Sequence, residues 1–217
     1  MSQTLTVGAI LYPGFEMLDL FGPLEMYSML GPDAVQIVTV AEQAAPVTSA
    51  VSMAVDAGPQ VVAQANFENA PSLDILLVPG GFGTPPALEN AALMNFLSTR
   101  AGSAQVVSSV CTGSALLAKA GLLDGRRATS NKQLFALSTQ ITDQVDWVES
   151  ARWVEDGKFW TSSGVSAGMD MTLAIIAKLA GEETAESVSS GTEYTWHRDA
   201  DTDPFASELN KLAHLLE

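Results

Sequence analysis

Short apolar runs alternate with segments whose apolar residues recur at helical spacing, from one end of the chain to the other. Leu5 to Leu11 reads as a strand, Pro13-Gly14 as a turn and Glu16 to Leu30 as a helix, making a first β-turn-α unit. Val35 to Val40 is a second strand, and Pro46 to Val55 alternates like a pair of short edge strands. Asp74 to Val78, DILLV, is a continuous apolar run of the kind found in a central parallel strand covered on both faces, and Pro79-Gly80-Gly81 ends it. The pattern predicts a helix over Pro85 to Arg100, with prolines at its start where a missing N–H does least harm. Gln105 to Val110 is the next buried strand and Thr112 to Ala120 the next helix, closed by Gly121. ARWVEDGKFWTS at 151 to 162 suggests a hairpin turning at Asp156-Gly157. Ser166 to Ala180 is helical and largely apolar, and the stretch to Glu217 ends in a terminal helix.

Strands alternating with helices imply a doubly wound, mostly parallel α/β sheet with right-handed crossovers and helices on both faces. Its 217 residues fit a single domain, 1–217, with no repeat or linker. In such sheets ligands bind beyond the carboxyl ends of the strands. Three places converge there: the turn after the first strand, the Gly80-Gly81 loop and Cys111.

Composition narrows the partners. Apolar residues make up 47% and charged residues 16%, with no apolar run approaching the roughly 18 residues of a membrane span. A net charge of -15 without any Lys/Arg cluster argues against nucleic acid and anionic membranes. The start of the chain lacks a basic stretch followed by an apolar core, so no secretory leader is expected. The single cysteine cannot form an internal disulfide, which fits the cytoplasm. No GxGxxG follows a strand, there is no Walker lysine, and no His/Cys cluster has metal spacing, so neither cofactor nor metal is expected.

Cys111 sits in VVSSVCTGSALL, where a buried strand turns into a helix, a nucleophile elbow in outline. The unpaired N–H groups of the helix start favour a thiolate there and predict a thiol pKa below the free-cysteine reference of about 8.5. The same position also suits a buried, inert cysteine. Gly80 and Gly81, with the N–H of Thr112, can offer backbone donors to an anion, or simply end a strand. Asp19, flanked by Leu18 and Leu20, reads as a desolvated acid suited to proton transfer, or as a residue compensating the helix dipole. His197 and His214 lie in no recognisable Cys-His motif.

LYPGFEMLDLFGP at 11 to 23, LLVPGGFG at 76 to 83, SVCTGSALLAKAGLLDGRRAT at 109 to 129 and GVSAGMDMTL at 164 to 173 together resemble the ThiJ/PfpI superfamily over nearly the whole chain. Within it, LDLFGP, SVCTGS, and the EY and DPF elements at 193 to 194 and 203 to 205 are most similar to the isocyanide hydratase branch. The resemblance implies a flavodoxin-like fold, a homodimer and a small-molecule substrate. It implies Cys111 as nucleophile, Asp19 as the adjacent acid, and the amides of Gly81 and Thr112 at the site of developing charge. Hydration of an isonitrile to an N-formamide is the leading expectation, in an apolar pocket walled by Gly80, Phe82, Val165, Tyr194, Trp196 and Phe205. A cysteine-based redox or small-molecule sensor is the alternative, and glyoxalase or deglycase-like carbonyl chemistry a third. Thr112 stands where protease-like branches place a histidine, which argues against a peptidase. Asn131 stands where many relatives have one, which weakens carbonyl chemistry and leaves hydration dependent on Asp19. SVCTGS and LDLFGP also occur in sensor domains of transcription regulators, but no room for a DNA-binding domain is expected after Glu217.

Overall fold

The protein, as a computed structural model, is described over residues 4–216. Met1 to Gln3 and Glu217, which touch the expectations of an absent leader and a terminal helix, lie outside the described residues. The strands are β1 Leu5–Ile10, β2 Val35–Ala41, β3 Pro46–Thr48, β4 Gln60–Val62, β5 Ala65–Asn66, β6 Ile75–Val78, β7 Val106–Val110, β8 Arg127–Ala128, β9 Asp146–Trp147, β10 Trp153–Asp156 and β11 Phe159–Ser162. The helices are α1 Met17–Ser28, α2 Thr84–Ala87, α3 Ala91–Ser103, α4 Gly113–Lys119, α5 Phe135–Thr139, α6 Ala167–Ala180 and α7 Glu182–Gly191.

Seven strands form the main sheet in the order β10-β11-β7-β6-β1-β2-β5, and only the β10–β11 pair is antiparallel. The chain winds outward from β1 through β2 to β5, then restarts on the other side of β1 at β6. The crevice between β1 and β6 is therefore the topological switch point, where a doubly wound sheet opens a ligand site. Every residue of β6, β7 and β11 is buried, as their unbroken apolar or small composition requires of strands covered on both faces. On one side α1, α6 and α7 pack together, and on the other α4 joins α2, α3 and α5. Small residues allow α1 to approach α6 closely: Gly22 faces Met169, and Gly168 faces Pro23. That contact brings the start of α1 and the start of α6 to the same rim.

Local chemistry explains where the elements depart from the periodicity. The helix expected over 85 to 100 is two helices, because Asn90 is extended and its side chain accepts a 3.0 Å bond from Leu93 N–H, capping a new start. The 46 to 55 segment does not pair with itself as two edge strands. β3 pairs with β4 in a separate two-stranded sheet, and only an isolated bridge joins Val51 to Ala54. The 151 to 162 hairpin is present, but Asp156 pairs with Phe159, so its loop is Gly157-Lys158, with Gly157 at φ +62°. α7 follows α6 after Gly181. The expected terminal helix is instead two 3₁₀ turns, Ala206–Glu208 and Ala213–Leu216. No helix among the described residues is long and apolar enough to cross a membrane.

Candidate active site

The carboxyl ends of β1, β6 and β7 deliver the turn before α1, the Pro79-Gly80-Gly81 loop and Cys111 to one rim. Cys111 has φ +59°, a left-handed conformation that non-glycine residues rarely hold without support. The support is explicit. Its N–H donates to the carbonyls of Ser162 and Ser163 at 3.2 and 3.1 Å. Its carbonyl accepts from Ser114 Oγ at 3.2 Å and Ser130 Oγ at 3.1 Å, and both hydroxyls contact Ser138 Oγ. Three buried serines thus fix the elbow from beneath.

A second network fixes the loop opposite. Tyr12 O–H can only donate to the Pro79 carbonyl, at 2.9 Å, so it accepts from Thr84 at 3.0 Å. Thr84 then accepts from Thr112 at 2.8 Å, and Thr112 Oγ1 accepts from Gly81 N–H at 3.0 Å. The chain begins and ends on the Pro79 to Gly81 loop and leaves the Thr112 hydroxyl no proton for the sulfur. A Cβ on Gly80 would lie 2.5 Å from both Thr112 N and Thr112 Oγ1, so only glycine allows this approach.

Asp19, fully buried in the first turn of α1, accepts from Gly80 N–H at 2.9 Å through Oδ2. Cys111 stands close enough to the carboxyl to lower its pKa, and Oδ1 has no hydrogen-bond partner among the described residues. Burial pushes Asp19 up to about 8; the Gly80 N–H and the thiol pull it back, and the charge of Glu16 pushes it further. Burial, and then the Asp19 charge, push the Cys111 thiol up as well. This overturns the expectation of a thiol below the free reference. The donors at the start of α4 are present, but the sulfur belongs to a residue only 5% exposed and faces a carboxyl. Thr112 N–H, the Asn131 amide and Val165 N–H hydrogen-bond the sulfur and act in the opposite direction. Thiol and carboxyl thus form one coupled pair that titrates as a unit.

The sulfur donors correct the sequence reading in two places. Gly80 N–H is held by Asp19 and Gly81 N–H by Thr112, so in this state neither glycine donor faces the sulfur. Asn131, read as the loss of a histidine, places Nδ2 3.1 Å from Cys111 Sγ. Its orientation is set because Oδ1 accepts from Leu134 N–H at 2.9 Å, which forces the amide nitrogen toward the sulfur. Gly164 makes room for it, since a Cβ there would lie 2.5 Å from Nδ2. Val165, which supplies the third donor, has φ +47°, unusual for a β-branched residue. Asn131→Ala removes one donor from a sulfur that must carry negative charge to react. Iodoacetamide labelling of Cys111 at neutral pH should fall roughly tenfold, the scale of one charge-assisted hydrogen bond. An unchanged labelling rate would show that the amide does not stabilise the thiolate.

Above the sulfur lies a cavity of about 160 Å³. Phe82, Leu134, Val165 and Leu212 supply apolar wall, and Glu16 and Gln133 are polar groups on it. Of the expected wall residues, Phe82 and Val165 line this cavity, as does Gly81. Gly80 does not line it, its N–H being held by Asp19. Tyr194 and Trp196 do not line it: Tyr194 O–H donates to Asp170 at 3.0 Å, and Trp196 carries Arg198 on its ring face at 4.1 Å. They belong to the surroundings of a buried cluster in which Arg152 donates to Asp170 Oδ2 at 2.9 and 2.8 Å. Phe205, 54% exposed, lines an adjoining cavity of about 210 Å³. A larger cavity of about 400 Å³ opens at the other end of the sheet, by Leu5, Ile75 and Gln105. Among the described residues its walls carry no charged side chain and no thiol, so the smaller cavity is the candidate site. Among the described residues no group of three His, Cys, Asp or Glu side chains is arranged to hold a metal ion.

The DJ-1/PfpI family pattern matches residues 6–178. The chain belongs to the DJ-1/PfpI family. It is 36% identical over 197 residues to an isonitrile hydratase of Pseudomonas putida, covering 88% of this chain and 79% of that protein. It is also 33% identical over 132 residues to the HTH-type transcriptional regulator GbdR of Pseudomonas aeruginosa, covering 61% of this chain but only 35% of the regulator. Among solved structures, a ThiJ/PfpI family protein from Pseudomonas syringae superposes with a TM-score of 0.79 at 32% identity, covering 99% of this chain and 86% of that one. Drosophila melanogaster DJ-1beta shares the fold, with a TM-score of 0.75 at 21% identity over 89% of this chain and all of that one. The mostly parallel seven-stranded sheet is the flavodoxin-like architecture of this family.

Proposed function

We propose that the protein hydrates small isonitriles to N-formamides, with Cys111 as the nucleophile and no cofactor. The observation that carries this reading is the pairing of the buried Cys111 thiol with a carboxyl held near pH 8, beneath a small, largely apolar cavity with no histidine on its wall. An isonitrile has almost nothing to hydrogen-bond, so an apolar wall suits it, and its carbon needs both a nucleophile and a proton. The similarity to the isonitrile hydratase of Pseudomonas putida supports the same chemistry.

In the reactive form the Asp19–Cys111 pair holds one proton. The thiolate adds to the isonitrile carbon, and the Asp19 carboxyl protonates that carbon, giving a thioimidate on Cys111. Asp19 is buried beside the sulfur, whereas Glu16 reaches the cavity wall, where water would approach. Glu16 takes a proton from water as the hydroxyl adds to the thioimidate carbon, and passes it to the substrate nitrogen. The C–S bond then breaks as the formyl C=O forms, and the remaining hydroxyl proton returns to the Asp19–Cys111 pair. Isonitrile and water are consumed, one formamide is released, and the protein is unchanged. Thr112 N–H, Val165 N–H and Asn131 Nδ2 stabilise the sulfur while it carries charge.

The reading includes a cytoplasmic homodimer acting on a free small molecule, not on nucleic acid or a membrane. Exposed Leu18 and Phe21 on α1, with Val62 beside Phe21, supply an apolar face suited to a second copy. Purified protein incubated with cyclohexyl isonitrile should release N-cyclohexylformamide at a rate proportional to enzyme. Absence of formamide, with Cys111 accumulating sulfinate under mild peroxide, would replace hydration with the sensor reading.

A further inference from the structure

The reaction cavity has one wall built far from the elbow. Leu212, in the segment after α7, lines it together with Leu134, Phe82 and Val165. That segment is tied down at two points. Upstream, Asp203 is buried, its N–H donates to the Ser150 carbonyl at 2.7 Å, and its carboxylate lies 3.7 Å from Arg152. Downstream, Asn210 N–H donates to the Lys132 carbonyl at 2.8 Å and Leu212 N–H to the Gln133 carbonyl at 3.0 Å. The Asn210 side chain accepts from Ala136 N–H at 2.6 Å, and Asn210 itself has φ +57°. Between the anchors, residues 204, 205 and 207 are exposed.

The loop that receives these bonds is the one whose Asn131 amide touches the sulfur. A single four-residue stretch, 131 to 134, therefore faces the nucleophile on one side and carries the strap on the other. Leu212 occupies space that the substrate's organic group would otherwise fill, in a cavity of about 160 Å³, below the range of roughly 300 Å³ upward common for ligand pockets.

We infer that Leu212, held over Cys111 by the strap from Asp203 to Leu212, is the residue that sets the size of the substrate accepted at the sulfur. The inference deepens the hydration reading and rests on it for the identity of the substrate. Its test does not depend on that reading, because access to a thiol can be measured with reagents that need no enzymatic turnover.

Two pairs of probes decide it: methyl against cyclohexyl isonitrile for turnover, and iodoacetamide against N-benzyl iodoacetamide for labelling of Cys111. Leu212→Ala should raise the bulky-to-small ratio by about tenfold or more in both assays, the discrimination usual for a few methylenes in an apolar pocket. Leu212→Phe, which keeps the strap's backbone bonds and fills more of the cavity, should lower the same ratio. A general loosening of the fold would speed or slow both members of a pair alike and leave the ratio unmoved. A labelling ratio unchanged in both variants overturns the inference. If the wild-type protein turns over neither isonitrile, the hydration reading fails, while the labelling ratio still decides what Leu212 does.

Discussion

Cys111→Ser should fold as the wild type does and lose isonitrile turnover by roughly 10⁴-fold or more, the scale on which removal of a nucleophile is felt. The backbone contacts that hold residue 111 at φ +59° run through its N–H and carbonyl and do not involve the sulfur. Thermal unfolding should accordingly change little. A serine hydroxyl is a nucleophile only when a base takes its proton during attack; among the described residues no histidine or lysine is placed to do so, and Glu16 on the cavity wall serves water rather than residue 111. His197 is turned away, with Nε2 against the Thr202 carbonyl at 3.1 Å and its N–H on Asp170. His214 is exposed, and Lys132 Nζ is bound to Thr129 Oγ1 at 2.7 Å. Asp19, pushed up to about 8 by burial, is largely protonated at neutral pH and a poor match for an alcohol. The measurement is the initial rate of formamide release from matched, folded preparations. Turnover by the serine variant at the wild-type rate would mean that no covalent adduct lies on the path.

What could be read from the chain before its structure was whatever depended on neighbours in sequence. DILLV and VVSSV had to be central strands because a run without polar alternation needs cover on both faces, and Ile75–Val78 and Val106–Val110 are fully buried. Cys111 and Asp19 were legible because each sits at a strand or helix boundary whose position the turn residues give away. The errors fall where a distant segment decides. Tyr194 and Trp196 looked like pocket aromatics, but the carboxylate of Asp170 draws the first away, and nothing local announces that partner. The last stretch reads as ending in a helix, whereas the bonds of Asn210 to Lys132 and of Leu212 to Gln133 make Leu212 a wall of the cavity. Asn131 was read by what it lacks. Only the Leu134 N–H, which fixes the amide's orientation, turns it into a donor to sulfur. The thiol was expected below its reference because a helix begins beside it. Burial and the charge of Asp19 reverse that direction, and both depend on packing between α1, α6 and the β6–β7 edge.

Asp19→Asn should lower isonitrile turnover by roughly 10²-fold or more, the usual contribution of a positioned acid or base, while labelling of Cys111 by iodoacetamide changes by much less. The substitution keeps the size of the side chain and an oxygen to accept from Gly80 N–H, but removes the proton that the isonitrile carbon must receive. Alkylation needs only the sulfur's electrons. Burial remains the main force raising the thiol, and deleting the neighbouring charge relieves the second, so the labelling rate has no reason to collapse. The pH dependence carries the same signature. Wild-type turnover should rise with pH through an apparent value near 8, as the pair passes from two protons to one, and the variant should lose that inflection. Stability should respond with a definite sign. A carboxyl raised from 3.8 to about 8 binds its proton more tightly in the folded state, so its contribution is present at low pH and is lost as pH rises through about 8. The variant lacks this slope, and its denaturation midpoint should gain on the wild type between about pH 4 and pH 8. Equal losses of turnover and labelling would point to a displaced cysteine and sink the proton-donating role. No loss in either would leave Asp19 as a structural acid.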